Sequence, residues 1–138
     1  MHAILIDPVD KSIRAVETDG TLDDIYRLTG CANIEGVVLS DRELVYVDEE
    51  GLLVDRPGPF FVLAGHPHPI AGRGLILGYD ASGESQPTEL SVPEVFAAVE
   101  FPDIELVGFT FESGEVVLPD GRRIPAFGSA PEFRKKDG

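Results

Sequence analysis

Two uninterrupted apolar segments, residues 60–64 and 75–79, constrain the fold of this chain more than any other feature of its sequence. Short apolar runs without polar alternation are typical of strands that are covered on both faces. We therefore expect both segments to lie at the centre of a β-sheet. The ten residues between them hold two His, two Pro, three Gly and one Arg. Since Pro restricts the backbone and Gly relaxes it, we expect a loop of defined shape there.

Two helical signatures interrupt an otherwise β-like pattern. Thr21 can cap an amphipathic segment that ends at Gly30, and Ser91 opens a capping box with Glu94. Elsewhere, short apolar segments alternate with turns rich in Gly, Pro and Asp. A pattern of hairpins with only two helices favours an α+β fold over a doubly wound parallel sheet. We predict a largely antiparallel β-sheet with the two short α-helices on one of its faces.

The same pattern predicts how the chain is divided. We expect a single α+β domain over residues 1–127. Residues 104–127 are predicted to add three β-strands, separated by a Glu-Ser-Gly turn and a Pro-Asp-Gly turn. Residues 128–138 have little apolar content and are predicted to form a flexible tail.

The net charge limits the classes of partner. Acidic residues outnumber basic residues by 25 to 11, which gives −14. This charge repels phosphate backbones and anionic lipid headgroups, so it argues against direct binding to nucleic acid or to a membrane. It suits a basic protein partner; the alternatives are plain solvation of the surface and mimicry of nucleic acid by carboxylates spaced like phosphates. The residues predicted to contact a protein partner fall within one stretch of the chain; they are Asp41, Glu43, Asp48, Glu49, Glu50 and Asp55.

The loop at residues 65–74 is the candidate ligand site. A Gly-Arg-Gly segment can offer backbone N–H groups to a phosphate, with the Arg as its charge partner, while His rings can stack on a nucleobase. Against a nucleotide, a Gly-rich phosphate loop normally leads into a helix, whereas a strand is expected here. The alternative is a structural turn whose imidazoles bond to backbone groups. The residues predicted to bind a ligand are His66, His68, Gly72, Arg73 and Gly74.

Enzymatic and metal chemistry have weaker support in the sequence. A hydrolase would need His66 or His68 as its general base. The flanking prolines favour a three-residue helical repeat that turns the two imidazoles away from each other, so we expect no metal. We expect Gly72→Val and Gly74→Val to destabilise the fold by about 1–3 kcal/mol, because Gly accepts positive φ values. His66→Ala and His68→Ala are expected to cost much less.

Cysteine content and the first residues bear on cellular location. Cys31 is the only cysteine, so the sequence has no intrachain disulfide and no zinc site built on cysteines. The first residues do not form a signal peptide, and no apolar run has the length of a membrane span. We therefore expect a cytoplasmic protein without a cofactor.

Four segments resemble an uncharacterised family of small acidic proteins carried by bacteriophages, plasmids and actinobacterial genomes, a domain of unknown function. They are residues 3–8 (AILIDP), 24–31 (DIYRLTGC), 46–52 (YVDEEGL) and 67–78 (PHPIAGRGLILG). The resemblance covers about residues 1–101 and implies a small α+β fold and an origin in a mobile genetic element. It brings no activity, cofactor or catalytic residue.

Together these observations favour a non-catalytic accessory protein that binds a basic protein partner through its acidic surface. The resemblance adds the expectation of a host-defence antagonist that binds a protein or sequesters a signalling nucleotide, while the clustered carboxylates leave a nucleic-acid mimic open. The second hypothesis is a nucleotide-binding protein that uses the loop at residues 65–74. The third is a His-dependent hydrolase.

Overall fold

Strands make up 48% of the chain and helices 11%, so the fold is mostly β. The structure is a computed structural model that describes residues 1–136, apart from the side chains of Glu112 and Phe127. The described chain divides into two units, residues 1–103 and a second unit that begins at Ile104. The elements are β1 (His2–Asp7), β2 (Ser12–Glu17), α1 (Leu22–Thr29), β3 (Ile34–Val38), β4 (Glu43–Asp48), β5 (Phe60–Leu63), β6 (Ile70–Ala71), β7 (Gly74–Tyr79), β8 (Ser85–Gln86), α2 (Val92–Ala98), β9 (Val99–Glu100), β10 (Ile104–Val117) and β11 (Arg123–Lys135).

The predicted α+β class is therefore wrong, although the two predicted helices exist. The helices are short, while the strands are arranged in several antiparallel sheets. Among residues 1–136, no helix has the length and apolar character needed to cross a membrane.

The first unit is built on one antiparallel sheet with the strand order β2-β1-β7-β4-β3, and β8 pairs with the end of β7. Strand β7 lies in the middle and is almost completely buried, as its continuous apolar sequence predicts. Strand β5 is buried too, but it pairs with β6 and β9 in a separate layer. The prediction that both apolar segments lie in the centre of one sheet is therefore correct only for the second.

Each face of this sheet has its own apolar core. On one face, Ile25 of α1 packs against Leu5 and Leu77. On the other face, Val95 of α2 joins Ile76 and the β5 residue Phe61. The two helices thus cover opposite faces of the sheet, which corrects the prediction that they share one. The reason is that β1 and β7 carry apolar side chains on both faces of the sheet, so both faces need a covering layer.

Both helices begin as the sequence predicts. The Thr21 side chain accepts a hydrogen bond from the Asp24 N–H, and the chain leaves α1 through Gly30 at φ 72°. Ser91 and Glu94 form a capping box at α2. These helix ends were predictable because capping depends on residues three positions apart.

The second unit is a two-stranded ribbon, defined here as β10, β11 and the turn that joins them. The strands pair from Ile104↔Lys135 to Val117↔Arg123, with an irregularity between Leu106 and Gly108. The predicted Pro-Asp-Gly turn closes the hairpin, with the Gly121 N–H donating to the Leu118 carbonyl.

The other predicted features of this region are wrong. The Glu-Ser-Gly segment at residues 112–114 continues β10 and is not a turn, so two long strands replace the three short ones. Strand β11 runs to Lys135 through residues predicted to be a flexible tail, whose last two residues lie outside the described chain. The ladder needs only backbone groups, which is why low apolar content did not prevent pairing.

Candidate functional site

The two histidines of the loop at residues 65–74 bond to their own loop. The Nδ1 atom of His66 lies 2.7 Å from the carbonyl oxygen of His68, and the Nδ1 atom of His68 lies 2.8 Å from that of Pro69. A carbonyl oxygen only accepts, so each Nδ1 acts as the donor. The two rings also meet edge to face, with centroids 4.7 Å apart. This geometry matches the structural turn that the sequence left open as an alternative.

We expect His66→Ala to destabilise the first unit by about 1 kcal/mol, because it removes one hydrogen bond of a half-buried side chain. His66→Gln, whose amide can still donate to the His68 carbonyl, is expected to recover most of that loss. The measurement is the urea midpoint of the purified chain. Equal midpoints for His66→Ala and wild type would show that the bond contributes nothing.

Arg73 neutralises a buried carboxylate. Its Nε atom lies 3.2 Å from Oδ2 of Asp7, and a second guanidinium, that of Arg14, lies 4.0 Å from the same oxygen. The Asp7 side chain is 4% exposed, and its Oδ1 accepts the Val9 N–H. The Ile-Asp-Pro start of the chain and the loop are thus joined by an ion pair. Arg73 would have to leave that pair before it could serve a phosphate.

The two glycines beside Arg73 have different roles. Gly72 has φ 84° and its N–H donates to the Pro59 carbonyl. Gly74 is the first residue of β7, and a Cβ atom there would lie 2.9 Å from the Phe61 ring and 3.0 Å from Val45. Positive φ, the reason predicted for both, therefore applies only to Gly72. Gly74 is needed because the core leaves no room for a side chain.

The cavity at His66 does not bring the five predicted ligand residues together. This small cavity of about 140 Å³ touches His66, but its lining includes neither Arg73 nor the two glycines beside it. Strand β6 also runs through the predicted loop and pairs with β5. The loop is therefore shorter and more regular than its sequence indicates.

The six predicted contact carboxylates fall into four environments. Asp41 precedes β4, whereas Asp48, Glu49 and Glu50 lie at its far end, about 20 Å away at the usual rise of a strand. Asp55 follows in the irregular segment after them. Glu43 is buried and bonds internally: its carboxylate accepts the Thr88 hydroxyl at 2.7 Å and the Glu89 N–H at 2.8 Å.

An acidic depression of about 610 Å³ lies at the Asp41 end of β4. Its wall is the segment 80–89, which Glu43 ties to the sheet through Thr88 and Glu89. Gly78 lets this segment approach, since a Cβ atom there would lie 2.6 Å from the Pro87 carbonyl oxygen. The lining of the depression includes four charged side chains and one aromatic ring, those of Asp41, Arg42, Asp80, Glu89 and Tyr79.

Asp80 organises the turn in this wall. Its Oδ1 accepts from the Ser82 N–H, the Ser82 hydroxyl and the Glu84 N–H, and its Oδ2 accepts from the Gln86 amide. These bonds favour the ionised form and hold the pKa of Asp80 below its usual value. The sequence analysis missed Asp80 and Glu89. An Asp followed at positions +2 and +4 by residues that can donate to it was the available signal.

Cys31 shows none of the features of a reactive thiol. It is half-buried, and burial raises the pKa of its thiol, with a smaller contribution from the charge of Asp48. Among residues 1–136, no three His, Cys, Asp or Glu side chains converge in a way that could hold a metal ion.

Comparison with known proteins places residues 1–99 within one family model, described as Domain of unknown function (DUF3846). A curated relative, the protein of Sinorhizobium fredii (strain NBRC 101917 / NGR234) called Uncharacterized protein y4iR, is 33% identical over 129 residues. That match covers 89% of this chain and 76% of the relative. It cannot fit within the first 103 residues, so it includes part of the ribbon. No solved structure matches the chain significantly.

Proposed function

The chain belongs to the DUF3846 family, whose description assigns no reaction or ligand. From the geometry of the chain itself, we propose that it is a non-catalytic protein. It binds a basic protein partner through the acidic surface of its first unit. The observation that carries this proposal is that a depression of about 610 Å³ is lined by the carboxylates of Asp41, Asp80 and Glu89. A concave site with convergent polar groups is the usual form of a binding site.

Charge is concentrated in the first unit. Residues 1–103 hold 19 acidic and six basic residues, for a net charge of −13, whereas residues 104–138 hold six acidic and five basic residues, for −1. Three of those six basic side chains, Arg14, Arg27 and Arg73, are held in ion pairs. Most carboxylates of the first unit are therefore not neutralised by a basic side chain. Their negative electrostatic potential attracts and steers a basic partner.

The acidic depression suits the side chain of an arginine or lysine. Asp41, Asp80 and Glu89 supply negative charge, and Tyr79 supplies an aromatic ring, a combination that favours a guanidinium group. The Tyr79 hydroxyl is fixed by donating to the Ser40 carbonyl at 2.8 Å. Arg42 is the one basic residue of the lining and offsets part of the negative charge.

The family resemblance implies a role in a mobile genetic element, and this role is a more specific form of the proposal. A protein carried by a phage or plasmid gains from occupying the nucleic-acid channel of a host defence protein. Such channels are basic and accept rows of negative charge. The first unit would present its carboxylates in place of phosphates.

The test uses a hexa-arginine peptide as the probe and two double variants of equal charge. Asp41→Asn with Glu89→Gln removes two carboxylates from the depression, whereas Glu49→Gln with Glu50→Gln removes two from the far end of β4. We expect the first pair to weaken binding about ten-fold and the second less than two-fold, because only the first carboxylates contact the bound guanidinium. The measurement is isothermal titration at low salt, where such contacts are strongest.

The reverse change provides an independent check. Arg42→Gln removes the repelling charge of the lining and is expected to strengthen binding of the same peptide about three-fold. If the two double variants weaken binding equally, net charge alone explains the affinity. The acidic surface then serves solvation, and the depression is not a site.

A further inference from the structure

The ribbon exposes large apolar side chains on both of its faces, and the two most exposed of them, Phe111 and Val117, share one face. Residues two apart in a strand share a face, so Phe109, Phe111 and Val117 point to the same side of β10. Phe111 is 84% exposed and Val117 61% exposed. Ser129 pairs directly with Phe111 and is too small to cover its ring.

A two-stranded ribbon needs a cover for such a face. A hairpin on its own is at best marginally stable in water, because it has no third strand or helix to form a core. Exposed apolar surface of this extent marks an interaction surface. The ribbon also carries two exposed ion pairs, Arg123–Glu115 and Arg134–Glu105, which contribute little to stability.

The net charge of the ribbon indicates which partner its apolar face binds. A partner chosen by charge would be drawn to the first unit, at −13, and not to the ribbon, at −1. A face with almost no net charge adds little repulsion of its own against a second copy, and a two-fold axis places each Phe111 against the other copy. We propose that two chains associate through this face of their ribbons.

The area of this face indicates how tightly the two chains bind each other. A strand of 14 residues is about 46 Å long and a pair of strands about 10 Å wide, so two faces bury about 900 Å². Stable interfaces bury roughly 1,200–2,000 Å², and smaller ones are transient. The dimer should therefore be reversible, and the measurement must cover a range of concentrations.

The test is sedimentation velocity of the full chain from about 5 µM to about 500 µM, the range in which transient interfaces of this size dissociate. We expect the mass to rise from that of a 14.9 kDa monomer towards twice that value. Raising salt from about 50 mM to about 500 mM should strengthen the dimer, because it screens repulsion between the two acidic units. Binding of hexa-arginine should weaken over the same change, so the two proposals respond in opposite directions.

The variants separate this face from the rest of the ribbon. Phe111→Thr keeps a strand-forming residue and is expected to weaken the dimer at least about ten-fold, since both copies lose a ring. Val116→Thr lies on the opposite face and Phe96→Ala lies in α2; both remove exposed apolar groups and should leave the dimer unchanged.

Three results would overturn the proposal. The first is a monomer at every concentration, and the second is equal weakening by Phe111→Thr and Val116→Thr. The third is a lower thermal midpoint for Phe111→Thr without any change in mass, which would mean that the ribbon is covered within its own chain.

Discussion

Gly74→Val is expected to destabilise the first unit by about 3 kcal/mol, because the new side chain overfills a closed core. A Cβ atom at this position would already lie within 3.0 Å of Phe61 and Val45. Gly72→Val should cost about 2 kcal/mol for a different reason, the strain of a positive φ in a position that is otherwise open. Urea unfolding of both variants gives the two free energies.

A smaller residue at position 61 distinguishes the two causes. Phe61→Leu makes room beside Gly74. The double variant Gly74→Val/Phe61→Leu should therefore lose less unfolding free energy than the two single variants lose together, by about 1 kcal/mol or more. Gly72→Val/Phe61→Leu should be additive, because a side chain at position 72 meets no atom within 4 Å. Additivity in both pairs would contradict the steric explanation.

Glu43→Leu is expected to lower the free energy of unfolding by about 3 kcal/mol. The carboxylate is buried, and its loss leaves the Thr88 hydroxyl and the Glu89 N–H without their acceptor. Glu43→Gln keeps one acceptor oxygen and should cost about 1 kcal/mol. Hydrogen exchange at the Glu89 amide should also become faster in Glu43→Leu, since this bond ties the wall of the depression to the sheet.

Asp41→Asn is the matched control for Glu43. It lies two residues away, is exposed, and should change the unfolding free energy by less than about 0.5 kcal/mol. A Glu43→Leu variant as stable as Asp41→Asn would show that the buried carboxylate does not hold the segment 80–89 in place.

Local features of the fold could be predicted from the sequence, and long-range ones could not. The two helix caps were predictable because Thr21 and Asp24, or Ser91 and Glu94, are neighbours in the chain. The central position of β7 followed from its unbroken apolar run. Nothing local shows that β5 belongs to another layer, because burial on both faces produces the same apolar pattern in either place.

The candidate site depended on distant pairings. Glu43 was grouped with exposed carboxylates because its sequence neighbours are acidic, whereas its bonding partners lie 45 and 46 residues further on. Arg73 was assigned to a ligand because its ion-pair partner, Asp7, is far from it in the sequence, although the two side chains are in contact in the fold. The composition shows that the surface is acidic. Only the structure shows that the carboxylates are divided between the two ends of β4.

The position of β7 in the middle of the sheet has a consequence for biosynthesis. Ile4 of β1 pairs with Ile76, so the sheet cannot close until the ribosome has made β7. At roughly 5–20 residues per second, β1 waits on the order of 4–14 s for that partner. During this interval β2 pairs with one edge of β1, while the other edge lacks the partner that it has in the finished sheet. The nascent chain therefore presents to chaperones an apolar strand that the finished protein buries.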